Sequence, residues 1–152
     1  MNDIYEMMST LRAVRRLRPD PIPDDVMDRV LQAAAWAPTG GNMQPWRVIV
    51  VTSSERKQAL ADIYKPAWYR YAKGYDKRIE QLPEDEAEKA RRNRIAGDYL
   101  ADHLHEAPTI LMFVADPQMM AITDAKLDRV SMVGGGSVYT AVQNAMLAAR
   151  TE

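Results

Sequence analysis

Two stretches of the chain hold residue types that do chemistry. The first is Ala37-Pro38-Thr39-Gly40-Gly41-Asn42-Met43-Gln44-Pro45-Trp46-Arg47. Thr39, Asn42 and Gln44 supply hydrogen-bond donors and acceptors in quick succession. Gly40 and Gly41 permit close approaches that a Cβ forbids. Such a loop can present several polar groups to a flat polar ligand, for example a heterocycle. The same composition also fits an ordinary helix-to-strand connection built from turn residues. The second stretch is Arg12-Ala13-Val14-Arg15-Arg16-Leu17-Arg18. The planar guanidinium fork matches phosphate oxygens. On a helix, Arg12, Arg15 and Arg16 would share one face. The plainer alternative is a solvated basic surface.

Other candidates point less far. His103 and His105 are two residues apart, so on a helix they point to different faces, and no carboxylate–histidine pattern accompanies them. Met132-Val133-Gly134-Gly135-Gly136-Ser137 precedes a helical pattern, as a phosphate-binding turn would. However, Tyr139 stands where a dinucleotide fingerprint needs its third glycine, and no adequate strand comes before it. Tyr64, Trp68, Tyr69, Tyr71 and Tyr75 crowd one short span. They suit either a wall offering stacking surface to a ligand or a helix packing its aromatic face on a core.

The elements that must position these residues follow from periodicity. Ile4, Met7, Met8 and Leu11 predict a first helix over Asp3–Leu11. Pro19-Asp20-Pro21-Ile22-Pro23 predicts an extended connector. Val26, Met27, Val30, Leu31, Ala34 and Ala37 predict a helix over Asp24–Ala37, with Asp24 or Asp25 favouring its N-terminal dipole. It delivers the chain to the polar loop, and Pro38 stops it. Trp46–Thr52 reads as a strand, and its continuous apolar run predicts burial on both faces. Ser53 or Ser54 caps a helix beginning near Glu55. The balanced charges of Asp76–Arg94 predict an exposed, ion-paired helical excursion. Helix over Ala96–Glu106, strand over Thr109–Ala115 and a last helix over Val138–Arg150 complete the pattern.

The order of residues in the first stretch is specific. An alanine-rich helix, then Ala-Pro-Thr-Gly-Gly-Asn-x-Gln-Pro-Trp-Arg, then a strand, resembles the signature of the nitroreductase family of FMN-dependent oxidoreductases. The resemblance runs over nearly all the chain, although family members usually continue for several tens of residues more, as if this chain were truncated at its C-terminal end. It implies one α+β domain over residues 1–152, with a mixed sheet flanked by helices, and an intertwined homodimer. The pattern Ser137-Val138-Tyr139-x-Ala141-Val142-Gln143-Asn144 implies the long central helix of that fold, which leaves Tyr139, Gln143 and Asn144 structural roles. FMN is implied at each of two subunit interfaces. Arg12, Ala13 and Arg15 fall at positions that meet its phosphate and polar edge. The chain has Leu11 and Ala13 where the family often has a second arginine and a serine, so Ala13 offers backbone only. Pro38, Thr39, Gly40 and Asn42 would line the isoalloxazine from the partner chain, with Gln44 supporting the loop. The implied reaction is ping-pong: NADH or NADPH delivers hydride to flavin N5, and an electron-poor acceptor then collects it. That acceptor is a nitroaromatic, a quinone or an enone, and the family also includes flavin-dependent dehalogenases. No side chain need act as nucleophile.

Composition sets the bounds. A chain of 152 residues that is 47% hydrophobic suffices for one domain with a core. A net charge of −1 implies no general attraction to nucleic acid or to anionic membranes. The chain has no cysteine, which excludes disulfides and thiolate chemistry and fits the cytoplasm. No apolar run approaches the roughly 20 residues that span a bilayer. Two rival classes remain: a flavin carrier that sequesters without turnover, and a helical nucleic-acid binder using its arginine cluster.

Overall fold

The computed structural model describes residues 3–120, 124, 126–128 and 135–152. The chain forms two compact units. One comprises residues 1–12, 22–50 and 111–152, and the other residues 13–21 and 51–110.

The first unit is built from three stretches of chain. Helix α1 (Ile4–Thr10) is capped by Asp3, whose carboxylate accepts the Tyr5 N–H at 3.0 Å, and it buries Met7. Helix α2 (Asp24–Ala35) starts directly after Pro23 with two aspartates in its first turn. It ends two residues earlier than periodicity predicts. The Trp36 N–H bonds back to Gln32 O, and the chain then turns into Pro38. Strands β1 (Trp46–Val51) and β2 (Ile110–Ala115) pair with each other. Helix α5 (Gly136–Thr151) closes the unit.

The core of this unit is small-residue packing. Ala34 of α2 and Ala141 of α5 are fully buried, with Val30, Ala37 and Ala145 around them. Alanine on both faces brings the two helix axes close. Trp46, Leu111 and Phe113 from the strands pack against the cluster, with the Trp46 and Phe113 rings 6.1 Å apart. Burial of β1 on both faces is not what forms: Ile49 is 46% exposed and Val50 38%. Adjacent strand residues point to opposite faces, so β1 keeps one exposed position on each face at Ile49 and Val50. The two strands found among the described residues, with helices beside them, make the α+β architecture that the resemblance implied.

The second unit is a helical hairpin with an irregular segment on it. Helix α3 (Ser54–Ile79) is the longest described, at 26 residues, and Ser53 caps it by accepting the Arg56 N–H at 3.5 Å. Helix α4 (Glu84–His103) carries three acidic residues in its first turn and runs into a 3-10 turn at Leu104–Glu106. Lys57 Nζ donates to Ala107 O at 2.6 Å, which fastens that turn to the start of α3.

The aromatic span predicted as wall or packed face lies within α3. Trp68 Nε1 donates to Asp98 at 2.7 Å, and Tyr69 Oη contacts the Asp102 carboxylate at 3.2 Å. The charged excursion is less exposed than composition predicts. Arg94 has a side chain only 15% exposed, paired to Asp76 at 2.9 Å and to Asp98. Its guanidinium also sits 5.9 Å from the Trp68 ring and 5.8 Å from the Tyr69 ring. Lys65 bonds Asp102 at 2.9 Å and holds that carboxyl below its usual range.

Candidate functional site

The polar loop occupies the turn between α2 and β1, in the first unit. Pro38 ends the helical run, and Gly40–Asn42 forms a single 3-10 turn. The turn is closed by Asn42 N–H to Thr39 O at 3.0 Å and Met43 N–H to Gly40 O at 3.1 Å. Three residues take left-handed backbone: Gly41 (φ 57°), Asn42 (φ 56°) and Gln44 (φ 45°). Glycine reaches that region freely and asparagine tolerates it, whereas glutamine there is uncommon. Side chains hold this shape in place. Thr39 Oγ1 accepts the Gln44 N–H at 3.1 Å, and Arg47 Nη1 donates to Gln44 O at 3.0 Å and Trp46 O at 2.7 Å. Strain of this kind, held by several partners, is common where a chain shapes a binding surface.

Helix α5 supports the loop from behind. Ser137 Oγ accepts the Gly40 N–H at 3.3 Å, and Thr140 Oγ1 lies 3.3 Å from Pro38 O. One turn further, Asn144 Nδ2 donates to Ala33 O at 3.1 Å, tying α5 to the last turns of α2. Asn144 therefore has the structural role that the sequence implied. Ser137 and Thr140 were not anticipated as loop supports. Their signal was two hydroxyl residues in the first turn of a helix that follows glycines.

Beside the loop lies an open cleft of about 900 Å³, lined by Pro38, Thr39, Gly40, Met43, Met119 and Ser137 among others. Its far wall comes from the 3-10 turn Pro117–Met119, which Asp116 caps by accepting the Gln118 N–H at 2.9 Å. Asp116 N–H in turn donates to Pro45 O at 2.8 Å, joining that turn to the loop. The methionines of this wall carried no chemical signal in the sequence. A Cβ added at Gly40 would meet no atom within 4 Å, so this glycine leaves room at the cleft surface rather than relieving a clash. Of the predicted loop residues, Pro38, Thr39 and Gly40 line the cleft directly, while Asn42 and Gln44 belong to the same loop without lining it. The mix of backbone groups, the Thr39 and Ser137 hydroxyls and soft apolar side chains suits a flat heterocycle with polar edges.

The arginine stretch is not a helix. Residues 12–23 carry no regular secondary structure, so Arg12, Arg15 and Arg16 do not share a helical face. Like charges at helical spacing repel, and three prolines follow. Arg12, at the exit of α1, donates to its neighbour Leu11 O at 2.7 Å. Arg15, in the second unit, is half-buried and donates to Ala13 O at 3.2 Å. Among the described residues neither has a carboxylate partner, whereas Arg18 faces Asp20 at 3.7 Å. Guanidinium groups that keep most of their donors uncommitted are the donor set a phosphate needs. Ala13 offers no side-chain donor. Arg16 lies over the Tyr99 ring at 4.2 Å, and Tyr99 stacks on His103 with centroids 4.0 Å apart and 12° between planes. The glycine-rich stretch before α5 lies partly outside the described residues, at 132–134. Among the described residues, no helix is long and apolar enough to cross a membrane.

Comparison with known proteins places the chain in a family. The model of the nitroreductase family matches residues 10–152. Iodotyrosine deiodinase 1 of Rattus norvegicus is 26% identical over 150 residues, which is 95% of this chain and 50% of that protein. The NADH dehydrogenase of Thermus thermophilus is 43% identical over 51 residues, 34% of this chain and 25% of that protein. An oxidised iodotyrosine deiodinase, solved bound to FMN and 3-iodo-L-tyrosine, shares the fold with a TM-score of 0.69. It is 21% identical, and the match covers 98% of this chain and 70% of that one. The chain thus spans about half the length of the full deiodinase it matches.

Proposed function

The chain belongs to the nitroreductase family, and we propose that it is an FMN-dependent oxidoreductase that transfers hydride equivalents from NADH or NADPH to an electron-poor acceptor. The acceptor is a small nitroaromatic, quinone or enone, and donor and acceptor use one open site in turn. The observation that carries this reading is the loop at Pro38–Gln44. It is strained, held from behind by Ser137, Thr140 and Arg47, and open at Gly40 toward a cleft with polar and soft apolar walls.

FMN, when bound, supplies the redox chemistry, and the protein binds and orients it. Arg12 and Arg15 would hold the phosphate and the polar edge, with Ala13 contributing backbone. Pro38, Thr39, Gly40 and Asn42 would line the ring, and Gln44 keeps the loop in shape through its bond to Thr39. In a homodimer, the loop of one copy and the arginines of the other would face one flavin, making the whole chain one flavin-binding domain. The Thermus relative supports a nicotinamide donor, and the absence of cysteine fits work in the cytoplasm. The rat deiodinase, matching across 95% of this chain, favours a second acceptor class, an aryl halide that is reductively dehalogenated.

The test is a visible spectrum followed by anaerobic titration with NADPH and then NADH. A yellow protein that bleaches with one nucleotide and recovers colour with a quinone, a nitroaromatic or an iodinated phenol supports the proposal and names its substrates. A protein that cannot be reconstituted with FMN refutes it. One that holds FMN and is bleached by neither nucleotide is a carrier instead.

A further inference from the structure

We propose that Tyr99 is a positioning residue for cofactor binding: its ring, clamped between Arg16 and His103, fixes the segment 13–21 so that Arg15 is presented to the FMN phosphate. The inference rests on the flavin reading above and adds to it a residue on α4 that touches no part of the cofactor.

The geometry is a three-layer stack. The Arg16 Cζ lies 4.2 Å from the Tyr99 ring centroid. The His103 ring lies 4.0 Å from the same centroid, nearly parallel to it. Two groups at those distances cannot occupy one face, so they lie on opposite faces of the tyrosine. His103 is one helical turn beyond Tyr99, and its Nδ1–H donates to Tyr99 O at 2.7 Å. That bond fixes the imidazole plane, and the imidazole in turn backs the tyrosine ring. Among the described residues no carboxylate pairs with Arg16, and its guanidinium lies on the ring face instead.

The stack matters because of what it holds. Segment 13–21 has no helix or strand to order it. Among the described residues, Arg15, adjacent to Arg16, bonds only Ala13 O within its own segment. Without an anchor, the arginine would have to be ordered when the anion binds, and that ordering weakens binding. The anchored Arg16 does this beforehand. A phosphate-specific effect is therefore expected from a residue that contributes no group to the phosphate.

The test compares FMN with riboflavin, which lacks the phosphate, by quenching of flavin fluorescence in the full chain. Circular dichroism and thermal melts check folding. The wild type is expected to prefer FMN. Tyr99→Leu should reduce that preference about two- to five-fold, the size of an exposed cation–π contact, and leave riboflavin affinity unchanged. Tyr99→Phe, which keeps the ring face, should restore it. Arg16→Gln should match Tyr99→Leu, and combining the two should add nothing further. A preference that survives Tyr99→Leu, or is lost equally in Tyr99→Phe, overturns the proposal. If Tyr99→Leu does not fold, Arg16→Gln at its exposed position decides by the same criterion. A wild type that binds both flavins equally overturns the phosphate assignment itself, and the proposal with it.

Discussion

Gly97→Ala sets helix propensity against packing, and the structure predicts that packing wins. Gly97 is buried in the middle of α4, facing α3. A Cβ built there lies 2.1 Å from Trp68 Cζ2 and 2.5 Å from Cη2, where ordinary contact begins near 3.4 Å. The indole would have to retreat by about an ångström. It is not free to do so, because Nε1 donates to Asp98 at 2.7 Å and the Tyr71 ring lies 5.7 Å away. Overpacking of this kind costs about 1–3 kcal/mol. Losing a bond to a carboxylate costs about 1.5 kcal/mol more when the ring moves far enough to break it. Alanine recovers roughly 1 kcal/mol over glycine in a helix interior. With that bond broken the net expectation is destabilisation by about 1.5–3.5 kcal/mol, measured by urea unfolding followed with far-UV circular dichroism. Trp68→Phe placed in the Gly97→Ala background should recover part of the loss. A Gly97→Ala protein that is more stable than wild type by roughly 1 kcal/mol would follow propensity alone and would refute the packing argument.

Other perturbations separate loop shape from loop space. Gly40→Ala should leave the melting temperature unchanged, since its Cβ enters open space, while weakening FMN binding measured by fluorescence quenching. Gly41→Ala should cost about 1 kcal/mol of stability through its left-handed backbone at φ 57°. Asn144→Ala removes the bond from α5 to Ala33 O and should cost about 1 kcal/mol in denaturant unfolding. Glu84, Asp102 and Glu152 have carboxyls held low by Arg91, Lys65 and Arg29 respectively. Their charged forms are bound more tightly in the folded state. The stability they contribute is thus present above the ordinary carboxylate range, near pH 4, and is lost as pH falls through the lowered values. Urea midpoints measured from neutral pH downward should fall in that window, and less steeply in 0.5 M salt; a flat profile would remove these pairs from the account.

Local chemistry was legible in the sequence where it is decided locally. Asp24 or Asp25 after Pro23 marked the start of α2, Ser53 or Ser54 marked the start of α3, where Ser53 is the cap, and Pro38 with two glycines marked the loop. The resemblance carried by Ala37–Arg47 pointed to the family that the match over residues 10–152 shows. What escaped depends on partners distant in sequence. Met119 reaches the cleft only because β2 pairs with β1 and the Asp116 turn directs the chain back. The apolar run of β1 does not reveal how many layers will cover it, so the exposure of Ile49 and Val50 could not be read. The arginine stretch has helical spacing, yet its charges and the prolines after it favour irregular chain. The stack of Arg16 on Tyr99 joins two segments whose patterns say nothing of each other.

The division of the chain into a two-part unit built on a hairpin and a three-part unit has a consequence during synthesis. Trp68 meets its partner Asp98 only 30 residues later, so the hairpin can close soon after α4 leaves the ribosome. Ala33 waits 111 residues for Asn144. At about 5–20 residues per second, that interval is roughly 6–22 s. Throughout it, the apolar face of α2 at Val30 and Ala34 has no α5 to cover it. The unit that carries the candidate site is thus the later to form on the nascent chain, and the one with greater need of chaperone protection.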